Sequence, residues 1–222
     1  KERKKYGFIT VAAGDGFDQL FKDMEVDIVI NGGQTMNPST DDFIGAIEKI
    51  NADTIFIYPN NKNIIMAANQ ARDLTDDKEI IVIPTKTITQ GITAMINFAP
   101  EYSAEENADI MNDSISSVLT SQITYAIRDT SIDGFEIKNG NIMAVGDSGL
   151  LAVGEDINKV AFESVKAIMH DDAELVSIYF GEDYSEESAS ELAAEIENEY
   201  PGCTVEIQYG GQPVYYCIIS VE

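Results

Sequence analysis

His170 is the single histidine of this chain, so a Ser-His-Asp or Cys-His nucleophile system would have to be built on it. It falls at the end of an expected helix and precedes Asp171 and Asp172. The helix dipole alone favours an imidazole at that end, and the structural role is the preferred reading. Zinc would find neither a second histidine nor a CxxC pair. No GxxxxGK[ST] phosphate loop is present. Gly14-Asp15-Gly16 begins like a dinucleotide fingerprint, but Gln19 stands where the third glycine belongs and Asp15 would repel a phosphate. It reads as a turn. The paired carboxylates at 41–42, 76–77, 105–106, 171–172 and 186–187 point about 100° apart on a helix and do not converge on one metal. Most read as solvated helix starts.

The strongest candidate for a site is the loop Asn31-Gly32-Gly33-Gln34-Thr35-Met36-Asn37-Pro38-Ser39-Thr40. It follows an expected parallel strand and opens a helix, the edge at which open α/β sheets receive ligands and partners. Gly32 and Gly33 permit close backbone approach. Gln34, Thr35, Asn37, Ser39 and Thr40 supply donors and acceptors. Asn60, Asn61, Lys62 and Asn63 take the equivalent position after the third strand. Thr85, Lys86 and Thr87 take it after the fourth. The competing reading is that all three are ordinary turns and caps, since these are the residue types turns require.

The elements that must hold these loops alternate. Residues 6–13, 26–30, 54–58 and 80–83 are short, uniformly apolar runs, separated by segments with helical spacing. That pattern predicts a parallel sheet covered on both faces. From about residue 104 the pattern changes. A helix is expected over 104–118 and an alternating strand over 119–128. Asn139-Gly140, between the runs 135–137 and 142–145, signals a hairpin. A helix over 156–169, a strand over 175–180, a helix capped by Ser185, and strands over 204–209 and 214–221 complete the chain. The expected fold is therefore a Rossmann-like α/β/α domain over 6–101 followed by a mixed α+β domain over 102–222, with 1–5 as linker.

The chain has 222 residues, with 39 acidic side chains against 14 basic ones and a net charge of −25. Such a surface repels nucleic-acid phosphate and anionic membranes; it reads first as a solvated acidic surface, with attraction of a basic partner as the alternative. No apolar run reaches the ~18–20 residues of a membrane span. Cys203 and Cys217 form no disulfide framework and read as reduced thiols of a cytoplasmic protein. The start, Lys-Glu-Arg-Lys-Lys, lacks a signal-peptide core, and the chain reads as a piece of a longer one. Arg128 and Asp129 are expected to pair structurally, although Arg128 also stands as a site candidate.

Four motifs carry a resemblance. Gly-Gly-Gln-Thr-Met-Asn-Pro-Ser-Thr at 32–40, Tyr-Pro-Asn-Asn-Lys-Asn at 58–63, Thr-Tyr-Ala-Ile-Arg-Asp at 124–129 and Gly-Gly-Gln-Pro-Val-Tyr at 210–215 together resemble the C-terminal region of the fatty acid kinase A subunit. That family is also described as dihydroxyacetone kinase-like, or as a Dak-type phosphatase. The resemblance implies a larger enzyme whose separate N-terminal domain binds ATP and magnesium, with no cofactor in this chain. It implies phosphorylation of a fatty acid held by a carrier protein of the DegV family, which this region engages. A homodimer formed through the parent protein is left open. The chain also looks distantly like the carrier itself. Residues 34–39 partly echo the carriers' Ser-Gln-Pro-Ser loop, whereas Asn61-Lys62-Asn63 stands in place of a Ser-Gly-Thr loop that helps hold the lipid carboxylate. This implies a DegV-like fold kept as a docking platform. Two alternatives stay open: a lipid-binding protein in its own right, and a dihydroxyacetone kinase-like kinase or phosphatase acting through His170.

Overall fold

The computed structural model describes residues 2–32 and 37–222. The described residues divide into two compact units, one formed by residues from 2–13 with 17–117 and the other by 14–16 with 118–222.

The first unit runs β1 (Lys4–Ala12), α1 (Asp15–Asp23, whose first two residues count with the second unit), β2 (Ile28–Asn31), α2 (Thr40–Glu48), β3 (Ala52–Tyr58), α3 (Ile65–Asp73), β4 (Glu79–Val82), α4 (Ile88–Ile96) and α5 (Ala104–Ile115). Its four strands lie in the order β2-β1-β3-β4, all parallel. The central strands β1 and β3 are buried almost end to end, as continuous apolar runs in parallel sheets must be. On one face, Ile9, Val11, Ile55 and Ile57 pack with Phe43 and Ile47 of α2 and Ala68 and Ala71 of α3. The small alanines let α3 lie close on the sheet. The other face is aromatic: Phe98 stands edge-on to Phe8 at 4.8 Å and to Tyr6 at 5.2 Å, and Phe56 joins both. The Tyr6 hydroxyl donates to the Tyr102 carbonyl at 2.6 Å, so the one polar atom of that cluster is satisfied.

The division falls about sixteen residues later than the expected boundary at 101/102. The reason is α5, which packs on α4. Fully buried Asn107 ties its first turn to the preceding loop, donating to the Ala99 carbonyl at 2.8 Å and accepting the Ala99 N–H at 2.9 Å. Met111 lies beneath the Tyr58 hydroxyl at 3.1 Å. Helix α4, over the run that follows Thr87, had no counterpart among the expected elements. It is buried almost all round, its threonines included, so it lacks the one-sided stripe that marks a surface helix.

The second unit contains β5 (Leu119–Tyr125), β6 (Thr130–Ile132), β7 (Phe135–Ile137), β8 (Ile142–Val145), β9 (Leu150–Gly154), α6 (Ile157–Ile168), β10 (Leu175–Phe180), α7 (Glu186–Glu199), β11 (Thr204–Tyr209) and β12 (Cys217–Val221). A six-stranded sheet runs β11-β10-β12-β5-β8-β9. Only β10 and β11 are parallel, and α7 is the crossover between them. Helices α6 and α7 bury Val160, Val165, Leu192 and Ile196 against Ile123, Ile178 and Ile219.

The expected hairpin is corrected. Residues 135–137 do not pair with 142–145. β7 pairs with β6 around Asp133-Gly134, whose φ values of 52° and 81° suit a tight two-residue turn. Asn139-Gly140 does turn the chain, with Gly140 at φ 86°. The strand after it joins β5 and β9 instead. The last strand starts at Cys217 rather than 214, because Val214 is held at φ 70°, outside strand geometry.

Candidate functional site

The C-terminal ends of β2, β3 and β4 belong to one parallel sheet, so the loops after them leave from the same edge of the first unit. Gly33, Gln34 and Thr35 lie outside the described residues. Gly32 is buried, and its N–H donates to the Ala12 carbonyl at 3.2 Å. A Cβ there would lie 2.9 Å from both the Pro38 ring and Val11 Cγ1, so the loop can leave the sheet this closely only from a glycine. Asn37 is exposed.

Ser39 caps α2. Its hydroxyl accepts the Asp42 N–H at 3.2 Å, while the Asp42 carboxylate accepts the Ser39 N–H at 2.8 Å. This reciprocal pair satisfies two of the orphan donors of the first turn. The helix itself begins at Thr40, as Thr40-Asp41-Asp42 reads in the sequence, and Thr40 Oγ1 bonds Gln70 Oε1 of α3 at 2.8 Å. Ser39→Ala should lower the free energy of unfolding by about 1 kcal/mol, as loss of an N-cap hydroxyl does. Urea denaturation reads this directly, and an unchanged midpoint would mean that the cap does not hold α2.

After β3, Asn60 adopts a left-handed φ of 61°. Its Nδ2 donates to Thr10 Oγ1 at 2.8 Å and to the Val11 carbonyl at 2.9 Å, and its Oδ1 accepts from Thr85 Oγ1 at 2.9 Å. Its N–H also donates to Thr85 Oγ1, at 2.9 Å. The structure therefore brings Asn60 and Thr85 into one network. Asn61 turns the loop, its Oδ1 accepting the Asn63 N–H at 2.9 Å. Lys62, Asn63 and Lys86 are exposed. The Lys86 N–H is held by Gln90 Oε1 at 2.7 Å, and Thr87 caps α4 through the Gln90 N–H. The edge thus has two layers: a polar hub of half-buried Asn60 and buried Thr85, and an exposed rim that includes Asn37, Lys62, Asn63 and Lys86.

Arg128 belongs to the second unit, exposed beyond the end of β5. The expected Arg128–Asp129 pair is not among the ion pairs of the described residues. The Asp129 carboxylate accepts the Asn139 N–H at 2.8 Å instead. His170 is exposed just past α6, and its carbonyl accepts the Ala173 N–H. Two members of the hub escaped sequence reading: Thr10 and Val11. Thr10 was the available signal, as a hydroxyl inside an otherwise apolar central strand.

A family model for the C-terminal region of fatty acid kinase A-like proteins matches residues 7–222. Protein YloV of Bacillus subtilis (strain 168) is 43% identical over 220 residues, which is 99% of this chain but 40% of the relative's own length. The chain therefore spans well under half of such a relative. Among solved structures, the DegV family protein Cg2579 of Corynebacterium glutamicum superposes with a TM-score of 0.69 at 14% identity, covering 98% of this chain and 97% of that one. The Streptococcus pneumoniae fatty acid kinase B3 protein loaded with linoleic acid does so with 0.62 at 12% identity, covering 98% and 99%. At these identities the structures show the fold, which is DegV-like.

Proposed function

This chain belongs to the family of fatty acid kinase A-like C-terminal regions, and on that premise we propose that it is the non-catalytic C-terminal module of an ATP-dependent fatty acid kinase. In this reading it docks a fatty-acid-loaded carrier of the DegV family, and the parent protein forms the acyl phosphate. ATP and magnesium are held by a domain outside this chain. The observation that carries the reading is the family match across residues 7–222 of a chain whose own fold is that of the carrier family. Two modules of one fold can share a mode of association while one of them holds the lipid. The exposed rim supplies a surface of neutral donors and lysines on a chain of net charge −25. Charge of that size on the rest of the chain makes association salt-sensitive.

Calorimetric titration of this chain with a fatty-acid-loaded DegV-family carrier tests the proposal. Saturable binding is expected. Asn37→Ala and Lys62→Ala should each weaken it by about fivefold, near 1 kcal/mol, the scale of a contributing interface residue. No heat with a folded chain would move carrier docking to another part of the parent protein. Binding untouched by either substitution would move it to another face. A second reading, lipid binding by the chain itself, draws on its likeness to a structure that carries linoleic acid. Mass spectrometry of lipid extracted from the purified chain would detect it.

A further inference from the structure

The parallel sheet of the first unit reverses its winding between β1 and β3. From β1 the chain moves to β2 on one side, then returns to place β3 and β4 on the other. In open α/β sheets the crevice beyond the strand ends at such a reversal is where ligands settle. Here the Asn60 carboxamide lies across that reversal. It reaches Thr10 Oγ1 and the Val11 carbonyl on β1, and Thr85 Oγ1 beyond β4, all within 2.8–2.9 Å. Thr10 and Thr85 are fully buried. Thr10 Oγ1 donates onward to the Tyr58 carbonyl at 3.1 Å, so no hydroxyl of the hub lacks a role. The left-handed φ of Asn60, which asparagine tolerates better than most residues, turns the side chain back over the strand ends. Above it, a Cβ at Gly91 of α4 would lie 2.8 Å from Asn60 Cγ and 2.9 Å from Nδ2. The helix can lie on the amide only because that position is glycine.

The geometry points to Asn60 as an internal ligand: its carboxamide fills the crevice, which accepts a neutral primary amide and refuses a carboxylate or phosphate head group. The Val11 carbonyl makes the choice. It offers only lone pairs, so whatever touches it must donate. An ionised carboxylate could still accept from Thr85 Oγ1, but its other oxygen would be set against the Val11 carbonyl, and against Thr10 Oγ1, whose proton already goes to the Tyr58 carbonyl. The same contact fixes which end of the amide is nitrogen. A partner therefore meets the rim around the amide rather than a head-group pocket. The inference stands on the first unit's geometry, and it favours docking over lipid-head binding at this edge.

Asn60→Gly keeps the backbone conformation and empties the crevice. Thermal unfolding of this variant chain should show a midpoint about 5–10 °C below the parent, the scale expected for a lost buried network. Acetamide should raise the variant's midpoint by at least about 2 °C more than it raises the parent's, as a ligand of the folded state must. Sodium acetate at equal concentration should not. Acetate matching acetamide, or neither compound acting, overturns the assignment. The unsubstituted chain gives a second reading that needs no variant. In its NMR spectrum both Asn60 side-chain amide protons should exchange slowly and stay unshifted on addition of linoleate. Shifts centred on Asn60, Val11 and Thr85 would overturn the assignment. Rescue by acetate would leave carrier docking standing, and a failed carrier titration would leave the internal amide standing.

Discussion

Gly14→Ala should destabilise the second unit by about 3–5 kcal/mol, a large part of the ~5–15 kcal/mol that holds a typical domain. Two causes combine. Gly14 sits at φ 113°, where an L side chain is strained at about 1–3 kcal/mol. A Cβ there would also lie 2.5 Å from the Gly210 carbonyl oxygen and 2.7 Å from the Gln212 nitrogen. These are backbone atoms and cannot rotate aside, so the overpacking penalty applies in full. Gly16 repeats the problem against the Tyr209 carbonyl, with Gly210 C at 2.8 Å. Across the contact, Gly211 has φ 68°, and a Cβ on it would strike the Tyr209 ring. Two loops thus meet backbone to backbone, with Gln212 buried and its Nε2 bonded to the Tyr179 carbonyl at 3.0 Å. Gly45→Ala in α2 is the contrasting case. Nothing lies within 4 Å of its Cβ, so alanine should stabilise that helix by about 0.5–1 kcal/mol. Urea denaturation of both variants reads the difference. A Gly14→Ala midpoint within about 0.5 kcal/mol of the parent would show that the two loops are not closely seated.

The same glycines show how far the sequence could be read. Gly14-Asp15-Gly16 could be identified as a turn rather than a phosphate loop because a carboxylate stood in it. What the turn packs against lay two hundred residues away, and no local rule reaches that far. The parallel sheet was legible because β1 and β3 must be apolar on both faces, which leaves long uninterrupted runs. The strand order in the second unit was not. β12, the last strand, inserts between β10 and β5, and periodicity is blind to such pairing. β9 went unseen because Leu150–Gly154 is half-buried and glycine-bounded, with no alternation to mark it. At the candidate edge the loop positions were legible from turn chemistry. The split between buried hub and exposed rim was not, since Asn60 and Asn61 are identical in type and differ only in the backbone angle that aims them.

Raising the pH through about 10 to 12 should unfold the second unit cooperatively. Burial pushes the hydroxyl of Tyr215 up to about 12. Tyr179 also reaches about 12, through burial first and the Glu222 and Glu206 carboxylates after it, with a hydrogen bond to Ser177 opposing. Burial drives Tyr184 and the Cys217 thiol higher still. In the unfolded chain a tyrosine ionises near 10, whereas the folded chain withholds these ionisations. The stabilisation is therefore whole below pH 10 and is lost as pH rises through 12. Each withheld ionisation is worth about 2–3 kcal/mol once both values are passed. Two such tyrosines already rival the stability of a marginal domain, and the others add in the same direction. Far-ultraviolet circular dichroism and tyrosinate absorbance, followed together, check this. Absorbance that precedes the transition should leave the dichroism intact. The remaining absorbance should then appear at the pH where the dichroism falls. Tyr215→Phe removes one ionisation and should move that midpoint upward. A single smooth titration near pH 10 with the dichroism unchanged would mean that these hydroxyls reach water, and that the second unit's core is looser than its packing indicates.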